Sequence, residues 1–325
     1  MKRLLKYFGL LLFVLIISGI LFFFWASSPT LSEKEYAKII TTSAMPTVDN
    51  DSIYSIITYN IGYLSGMTNN RAIAKPKSLF ENNLKKVLDN FSRLNADIIA
   101  FQEIDYASAR SYDVNQQNEI AKLGYPYVAQ AVNWDETYVP FPYWPPSMHF
   151  GKMLSGQSIL SKFPLTEHQR IVLERVKDNP FYRDALYLDR LAQVVKTTLG
   201  NKTVAIINVH LEAFDKPTRG HQFTYILSLF KKLASKYPTI LLGDFNSPAR
   251  DKKAVVQRVF NMPSIGNAVF TAKNPINTFD TKKPFERIDY IFYTKNSIEY
   301  IDGGVLTQFG EASDHLPIEM RFRLK

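Results

Sequence analysis

The longest apolar stretch of the chain lies at its N-terminus. Residues 7–25 are mostly Leu, Phe and Ile, and only Gly9, Ser18 and Gly19 interrupt them. A helix of 19 residues is about 28 Å long, close to the ~30 Å thickness of the hydrocarbon core of a bilayer. We therefore expect residues 1–28 to form a transmembrane anchor or signal that enters the membrane through residues 7–25.

Whether this segment stays attached depends on cleavage near Ala26-Ser27-Ser28. Signal peptides usually have an apolar stretch of about 7–15 residues, shorter than this one. Pro29 also follows the candidate cleavage site closely. These features favour an uncleaved, single-pass anchor, while cleavage of residues 1–28 would give a secreted protein. The basic residues before the apolar run keep the N-terminus in the cytoplasm, so both alternatives place the rest of the chain outside it.

Short apolar runs and amphipathic segments follow. The mixed, polar residues 29–51 predict a juxtamembrane linker, and the folded domain is expected over 52–325. Apolar residues at helical spacing predict helices near 80–94 and 223–233. β-Branched apolar runs predict strands at 52–59, 97–101, 159–160, 191–198, 203–209, 239–242, 288–293 and 316–322.

Several of these predicted strands follow one another without a helix between them. That order disagrees with the strict alternation of strands and helices in Rossmann folds and barrels. It agrees better with two packed mixed β-sheets flanked by helices, which is a four-layered α+β (α/β) sandwich. Apolar strand-forming runs continue to the C-terminus, so we expect one domain.

Residues 130–150 combine prolines with many aromatic side chains. The prolines disfavour a regular element. The aromatic rings suit a rim that enters lipid or stacks on a nucleobase, and they equally suit a cap packed over the sandwich. The rings in question belong to Trp134, Tyr138, Phe141, Tyr143, Trp144 and Phe150.

Polar side chains end or interrupt the predicted strands. If these strands converge, one edge of the sandwich gathers three Asp, one Glu, two Asn and two His. Carboxylates brought together repel one another, and a hard cation such as Mg²⁺ or Mn²⁺ relieves that repulsion. The residues concerned are Asn60, Glu103, His210, Asp244, Asn246, Asp289, Asp314 and His315.

Composition narrows the chemistry of such a site. The chain has no cysteine, which excludes disulfides, thiolate zinc sites and a cysteine nucleophile. Its net charge is +9, and removing Lys2, Arg3 and Lys6 leaves +6 on residues 29–325. That surplus suits anionic partners and an ordinary soluble surface alike, so charge does not decide the function.

Seven sequence segments together resemble the endonuclease/exonuclease/phosphatase superfamily. That superfamily includes deoxyribonuclease-like nucleases, apurinic endonucleases, neutral sphingomyelinases and inositol polyphosphate 5-phosphatases. The resemblance runs in the family's order across residues 53–318 and implies hydrolysis of a phosphate ester with Mg²⁺, or Mn²⁺, as cofactor. The segments are ITYNIG, IIAFQEID, GQSILSKFP, INVHLEAF, LLGDFNSP, ERIDYIFY and SDHLPI.

The resemblance also implies roles for individual residues. Glu103 resembles the family's principal metal ligand, with Asn60 and Asp314 close to the metal or its waters. Asp244 resembles the residue that orients or deprotonates the attacking water, and Asn246 resembles a phosphate-binding neighbour.

His315 resembles the histidine that contacts the scissile phosphate, and Asp289 the carboxylate that holds its ring. This pairing should keep His315 protonated, as an oxyanion stabiliser or proton donor rather than a metal ligand. His210 matches the branches that carry histidine there, which disfavours the apurinic endonucleases. The implied reaction is in-line attack of water on phosphorus without a covalent enzyme intermediate.

The substrate is less constrained than the reaction. Arg190, Arg219 and Gln222 match positions that often line or brace the family's site, and Trp144 is a candidate substrate contact. Gln157 stands where the family more often has Asn. We assume a monomer. Because the anchor brings the site near the membrane surface, we expect the phosphate-ester substrate to be a lipid or another small head group. A tethered nuclease and a catalytically silent binding module are the alternatives.

Overall fold

The computed structural model describes residues 1–47, 52–69, 71–270 and 276–325. Its α-helices are α1 (Lys2–Ala26), α2 (Lys77–Leu94), α3 (Gln116–Ala121), α4 (Phe181–Asp184), α5 (Lys216–Ala234) and α6 (Gln257–Phe260). Short 3-10 helices occupy Glu33–Glu35, Gly62–Leu64, Ala109–Ser111, Pro146–Met148 and Thr307–Ala312. The strands are β1 (Ala37–Thr41), β2 (Ile53–Asn60), β3 (Ile98–Asp105), β4 (Tyr127–Val139), β5 (Gly151–Ser161), β6 (Leu165–Val172), β7 (Leu191–Leu199), β8 (Lys202–His210), β9 (Thr239–Asp244), β10 (Ile265–Asn267), β11 (Asp289–Thr294), β12 (Ile298–Val305) and β13 (Ile318–Leu324).

The strands form two mixed sheets. The order of the first sheet is β1-β4-β5-β3-β2-β13-β12, and that of the second is β10-β11-β9-β8-β7-β6. In each sheet a central pair is parallel, β2 with β3 and β8 with β9, while the other pairs are antiparallel. This arrangement confirms the predicted fold of two packed mixed sheets.

Three apolar clusters separate four layers. One cluster joins the inner faces of the two sheets and includes Ile56, Ile206 and Ile240. A second packs α2 and α3 on the first sheet, with Phe91 among its buried rings. The third packs α5 and α6 on the second sheet around Phe223. Both long helices of the domain therefore bury one side because that side continues the hydrophobic core.

The N-terminal helix α1 lies outside this sandwich. Nearly all its residues are exposed, and Ala26 alone is buried. Its length and mean hydropathy of 2.7 suffice to cross a membrane, and a signal sequence at this position has the same properties. An apolar helix that is exposed over most of its length agrees with the predicted anchor or signal.

The structure corrects two boundaries drawn from the sequence. β1 lies inside the predicted linker 29–51 and pairs with β4, so the sheet begins before residue 52; residues 48–51 of that linker lie outside the described residues. β4 also covers the first half of segment 130–150, where a regular element was not expected. The prolines of that segment begin only at Pro140, so they do not interrupt the strand.

Candidate functional site

The ends of four strands bring polar side chains to one edge of the sandwich. In the first sheet β2 ends at Asn60 beside the end of β3. In the second sheet the parallel pair β8–β9 ends with His210 opposite Asp244. Asp244 also lies opposite Asp289, the first residue of the antiparallel strand β11. The strand registers therefore bring these four side chains together, as the sequence predicted.

Glu103 stands on a strained piece of backbone at this edge. The pairing of β3 with β5 shifts register between Phe101 and Ile104, and Glu103 has a left-handed φ of +52°. This conformation is costly for a residue without a short polar side chain and persists where the surrounding fold enforces it. The break in the strand turns the Glu103 side chain into the site cavity.

Asn69 links Glu103 to Asp314. Its Nδ2 donates to Glu103 Oε2 at 2.9 Å and lies 3.3 Å from Asp314 Oδ1. Gly62 precedes Asn69 in the chain and packs closely against Asp314. A Cβ at position 62 would lie 2.9 Å from Asp314 Oδ1, so glycine is needed there. The sequence reasoning missed Asn69, since its loop matches none of the seven segments.

Burial raises the pKa of Asp314 to about 6, and the neighbouring Glu103 carboxylate adds to this rise while His315 opposes it. A fold that crowds two carboxylates in this way suits a divalent cation. The available ligand atoms are the carboxylate oxygens of Glu103 and Asp314, which are hard ligands of the kind that Mg²⁺ and Mn²⁺ prefer. The residues present therefore fit the predicted metal.

Asp244 is buried and held from two sides. Asn60 Nδ2 donates to its Oδ2 at 3.0 Å, and the backbone N–H of Asn246 donates to its Oδ1 at 2.8 Å. Asn246 has a left-handed φ of +48°, which asparagine tolerates well. Glycine is required at position 243, just before Asp244, because a Cβ there would lie 2.0 Å from the Val209 carbonyl oxygen. The GDFN segment thus fixes the carboxylate in place.

The electrostatic state of Asp244 suits a proton acceptor. Burial raises the pKa of Asp244 to about 7, with Asp289 adding to the rise and His315 opposing it. A general base works best when its pKa lies near the working pH. Asn60 turns its amide nitrogen to Asp244, and its Oδ1 accepts from Gly62 N at 3.1 Å. The geometry thus places Asn60 beside Asp244, and metal ligation by Asn60 stays a prediction.

His315 lies between two aspartates and is hydrogen-bonded to one of them, Asp289. Its Nδ1 lies 3.0 Å from Asp289 Oδ2, and its Nε2 lies 3.8 Å from Asp244 Oδ2. Thr278 Oγ1 donates to Asp289 Oδ2 at 2.6 Å and fixes that carboxylate. Burial alone would lower the pKa of His315, but Asp289 and Asp244 together raise it well above its usual value. These two carboxylates favour the protonated imidazole, and its role as a proton donor stays a prediction.

His210 has the opposite character. Burial lowers its pKa well below the usual value, and the Arg190 guanidinium, 2.6 Å from its Nε2, lowers it further. Arg190 is itself buried, with its Nε 3.5 Å from Glu212 Oε2. The site thus combines a histidine with a lowered pKa, a histidine with a raised pKa and a buried guanidinium around the carboxylates.

These groups surround a cavity of about 1340 Å³. One wall carries the polar groups of Glu103, Asp244, Asp314 and His315, with Asn60 and Asp289 buried behind them. Another part of the lining, called the apolar wall, is largely apolar and aromatic. It is formed by Trp134, Val139, Phe141, Tyr143, Phe150, Tyr182, Leu186 and Leu188.

The other residues that the sequence singles out divide into three groups. Arg190 and Arg219 line the cavity, and Arg219 also donates to the carbonyl oxygens of Glu212 and Ala213. Gln222 and Gln157 are buried braces bonded to backbone. Trp144 is 80% exposed and stands outside the residues that line the cavity. Its prediction as a direct substrate contact therefore finds no support in the geometry.

The family model described as "Endonuclease/Exonuclease/phosphatase family" matches residues 57–315, which include every residue of the polar wall. The chain belongs to the endonuclease/exonuclease/phosphatase family. Members of this family are generally phosphoester hydrolases and typically depend on a divalent metal. The chain also carries the family's two-sheet sandwich.

Two bacterial proteins are similar to this chain in sequence. Protein YbhP of Escherichia coli, described as uncharacterized, is 22% identical over 243 residues, covering 74% of this chain and 88% of that protein. The UPF0294 protein of Vibrio campbellii is 26% identical over 142 residues, 43% of this chain and 47% of that protein. This chain thus matches about half the length of the Vibrio relative.

Solved structures show the same fold at low identity. The endonuclease/exonuclease/phosphatase protein of Beutenbergia cavernae has a TM-score of 0.59 and 18% identity, covering 84% of this chain and 72% of its own. The catalytic domain of human nocturnin, solved with a bound sulfate anion, has a TM-score of 0.58 and 19% identity, covering 89% and 98%.

The raised pKa of Asp314 predicts how the metal-free protein responds to pH. Because the folded carboxyl holds its proton up to about pH 6, its contribution to stability is present below pH ~4 and lost as pH rises. We expect Asp314→Asn to raise the melting temperature in EDTA at pH 8 and to have little effect at pH 4. At pH 8 the substitution should avoid a loss on the order of 3 kcal/mol in the free energy of unfolding.

Mg²⁺ gives the matched control for this variant. Added at pH 8, it should raise the melting temperature of the wild-type protein and have little effect on Asp314→Asn, because the cation loses a charged ligand. Differential scanning calorimetry measures both shifts. An equal Mg²⁺ response in the two proteins would remove Asp314 from the metal site.

Proposed function

We propose that this chain is a membrane-anchored, Mg²⁺-dependent hydrolase of phosphate esters whose catalytic domain lies outside the cytoplasm. The observation that carries the proposal is the position of His315, which is hydrogen-bonded to Asp289, lies 3.8 Å from Asp244 and lines one cavity together with Asp244, Glu103 and Asp314. That arrangement supplies a proton acceptor, a proton donor and a cation site within reach of one phosphate group.

Asp244 acts on the attacking water in this proposal. A water placed beside its carboxylate is oriented by Asp244 and gives up a proton to it as the oxygen bonds to phosphorus. Asn60 and the Asn246 backbone hold the carboxylate through both oxygens, so its direction does not depend on the substrate. Such fixed orientation lowers the barrier by keeping the reactants aligned.

His315 acts on the phosphate from the protonated form. Its Nε2–H stabilises the negative charge that develops on the phosphoryl oxygens, and it can give a proton to the leaving oxygen as the P–O bond breaks. Asp289 holds the ring through Nδ1 and keeps it charged. Arg190 adds a guanidinium at the same wall and donates to His210 Nε2.

Glu103 and Asp314, with Asn69 between them, would hold the cation. When bound, Mg²⁺ neutralises charge on the phosphate and helps to position it for in-line attack. Asp244, Asp289 and His315 also offer ligand atoms within 4.8 Å of one another. The hydrogen bond between His315 and Asp289 favours a histidine–carboxylate pair over metal ligation there, so we assign the metal to the Glu103 side.

The shape of the cavity favours an amphiphilic substrate. Its polar wall suits a phosphate, whereas its aromatic wall suits an apolar group attached to that phosphate. Attachment through α1 would keep the site beside membrane lipids. We therefore propose a lipid phosphate ester as the substrate class, with a tethered nuclease as the alternative.

A substrate panel tests this proposal directly. We expect the full chain in mixed vesicles to release phosphate-ester product from phospholipid or sphingolipid with Mg²⁺ and to be silent in EDTA. Plasmid DNA, single-stranded RNA and a soluble aryl phosphodiester complete the panel. Glu103→Gln is the matched control, because it keeps the shape of the side chain while removing the charge on the cation site.

The outcomes separate the candidate functions. Metal-dependent cleavage of DNA but not of lipids would make the protein a tethered nuclease. No cleavage of any substrate, in a preparation whose melting temperature still responds to Mg²⁺, would support a silent binding module. Equal activity of Glu103→Gln and wild type would contradict the proposed metal site.

A further inference from the structure

The anchor helix joins the domain without a linker. α1 ends at Ala26, and Ser28, two residues later, already pairs with the domain. Its Oγ lies 3.0 Å from Thr137 Oγ1, and its carbonyl accepts from Thr137 N at 2.9 Å. Thr30 N then donates to the buried Asp135 at 2.9 Å. The orientation of the domain relative to α1 is therefore fixed by β4.

β4 runs along the end of α1 in the opposite direction to the anchor. Its earlier residues contact the chain beyond α1, and its next residue, Tyr138, stacks on Trp25 at 5.8 Å and meets Phe22 at 6.0 Å. On the other side, Phe181 of α4 meets Phe23 at 5.8 Å. These contacts reach about 4.5 Å into the apolar run from its last residue, at 1.5 Å per residue.

The loops that follow these contacts expose aromatic rings. Tyr143 and Trp144 belong to the loop between β4 and β5 and are 76% and 80% exposed. Phe181 and Tyr182 of α4 are 75% and 53% exposed. Tyr138 ties the first loop in place, because its hydroxyl lies 2.7 Å from His149 Nδ1.

We propose that Tyr143, Trp144, Phe181 and Tyr182 form a membrane-docking surface that enters the interfacial layer of the bilayer beside α1. This inference rests on the retention of α1 as an anchor in the proposed function. A spanning helix uses its whole apolar run to cross the hydrocarbon, so its last turn lies at the interface. Phe181 contacts that turn and so lies at its level, while Tyr143 and Trp144 follow Tyr138, which also contacts the turn, within six residues.

The chemistry of this surface fits a lipid interface. Tyr and Trp prefer the level of the headgroups, where the ring is apolar and its polar atom stays wet. A second copy of the chain or a soluble protein is a poorer occupant, because the bilayer around α1 is already continuous with the rings. The surface is thus the membrane-facing side of the domain.

This surface also borders the catalytic cavity. Tyr143 and Tyr182 line its apolar wall, while Trp144 and Phe181 lie outside it. Docking therefore turns the apolar wall of the cavity toward the bilayer. A lipid would enter with its phosphate directed at His315 and its acyl part along the wall that faces the membrane.

Single labelled cysteines test the docking surface independently of catalysis. The chain has no cysteine, so Trp144→Cys and Phe181→Cys each introduce one site for an environment-sensitive NBD label. We reconstitute the full chain in phosphatidylcholine–phosphatidylglycerol vesicles with and without lipids that carry a doxyl quencher. Both labels should show blue-shifted emission and lose intensity when the quencher is present.

Tyr225→Cys provides the matched control. Tyr225 is 49% exposed on α5, which packs on the far side of the second sheet. Its label should emit as in water and keep its intensity with the quencher. The docking surface is wrong if the labels at positions 144 and 181 behave like the one at 225.

Activity gives the second readout. The double variant Trp144→Ser/Phe181→Ser should raise KM for vesicle lipid and leave hydrolysis of a soluble aryl phosphodiester unchanged, since neither side chain lines the cavity. An unchanged KM for vesicle lipid would count against docking. Membrane burial of the labels without hydrolysis of any substrate would uphold the docking surface and overturn the proposed function.

Discussion

Asp244→Asn should lower kcat for phosphate-ester hydrolysis by about 10²–10⁴-fold, the range expected for loss of a general base. The substitution keeps the side-chain shape and the hydrogen bond from the Asn246 N–H, but the amide cannot take a proton from water. KM should change little, because Asp244 contributes to the transition state more than to ground-state binding. Steady-state kinetics on the substrate that the panel identifies measure both constants.

A companion variant separates chemistry from positioning. Asn60→Ala removes the 3.0 Å hydrogen bond to Asp244 and leaves the carboxylate itself in place. We expect a loss smaller than that of Asp244→Asn. If Asp244→Asn kept wild-type kcat while folding normally, the base would have to be another group.

His315→Gln should lower kcat by about 10²–10³-fold, as expected for removal of one preorganised donor to a developing oxyanion. Glutamine offers an N–H but no positive charge and no transferable proton. The loss should be smaller for a substrate with a good leaving group, which needs little protonation. Aryl phosphodiesters of graded leaving-group acidity measure this dependence.

Asp289→Asn tests the cause of the charge on His315. Loss of this carboxylate at 3.0 Å removes the largest contribution that raises the pKa of His315. The alkaline limb of the kcat profile should then move to lower pH, since protonated His315 is lost as pH rises through its pKa. An unmoved alkaline limb would contradict protonated His315 as the active form.

The sequence was informative wherever a polar residue ended an apolar run. Asn60, His210 and Asp244 lie at strand ends as expected, because parallel strands place their carboxyl ends at one edge. Glu103 fits less simply, since β3 continues past it and a register break turns the side chain. Such a break depends on the partner strand, and sequence pattern alone does not indicate it.

The missed elements have physical reasons as well. β1 is a short edge strand whose residues alternate between exposed and half-buried, so it carries little apolar signal. The sequence pattern does not predict β4, because the prolines that begin at Pro140 directly follow the strand. Asn69 is a loop residue that becomes part of the site only through the fold, by bonding to Glu103 and approaching Asp314.

Because no linker follows α1, cleavage at the junction would compete with the folding of β4 over it. Ala26 is buried and the Ser28 carbonyl is bonded to Thr137 once β4 has formed. A protease needs extended, unpaired backbone, so the folded domain protects this junction unless that edge opens locally. Release of the domain by cleavage there would therefore have to occur before β4 closes over the end of the helix. If the chain is exported as proposed, the order of folding and processing would decide whether the protein remains anchored.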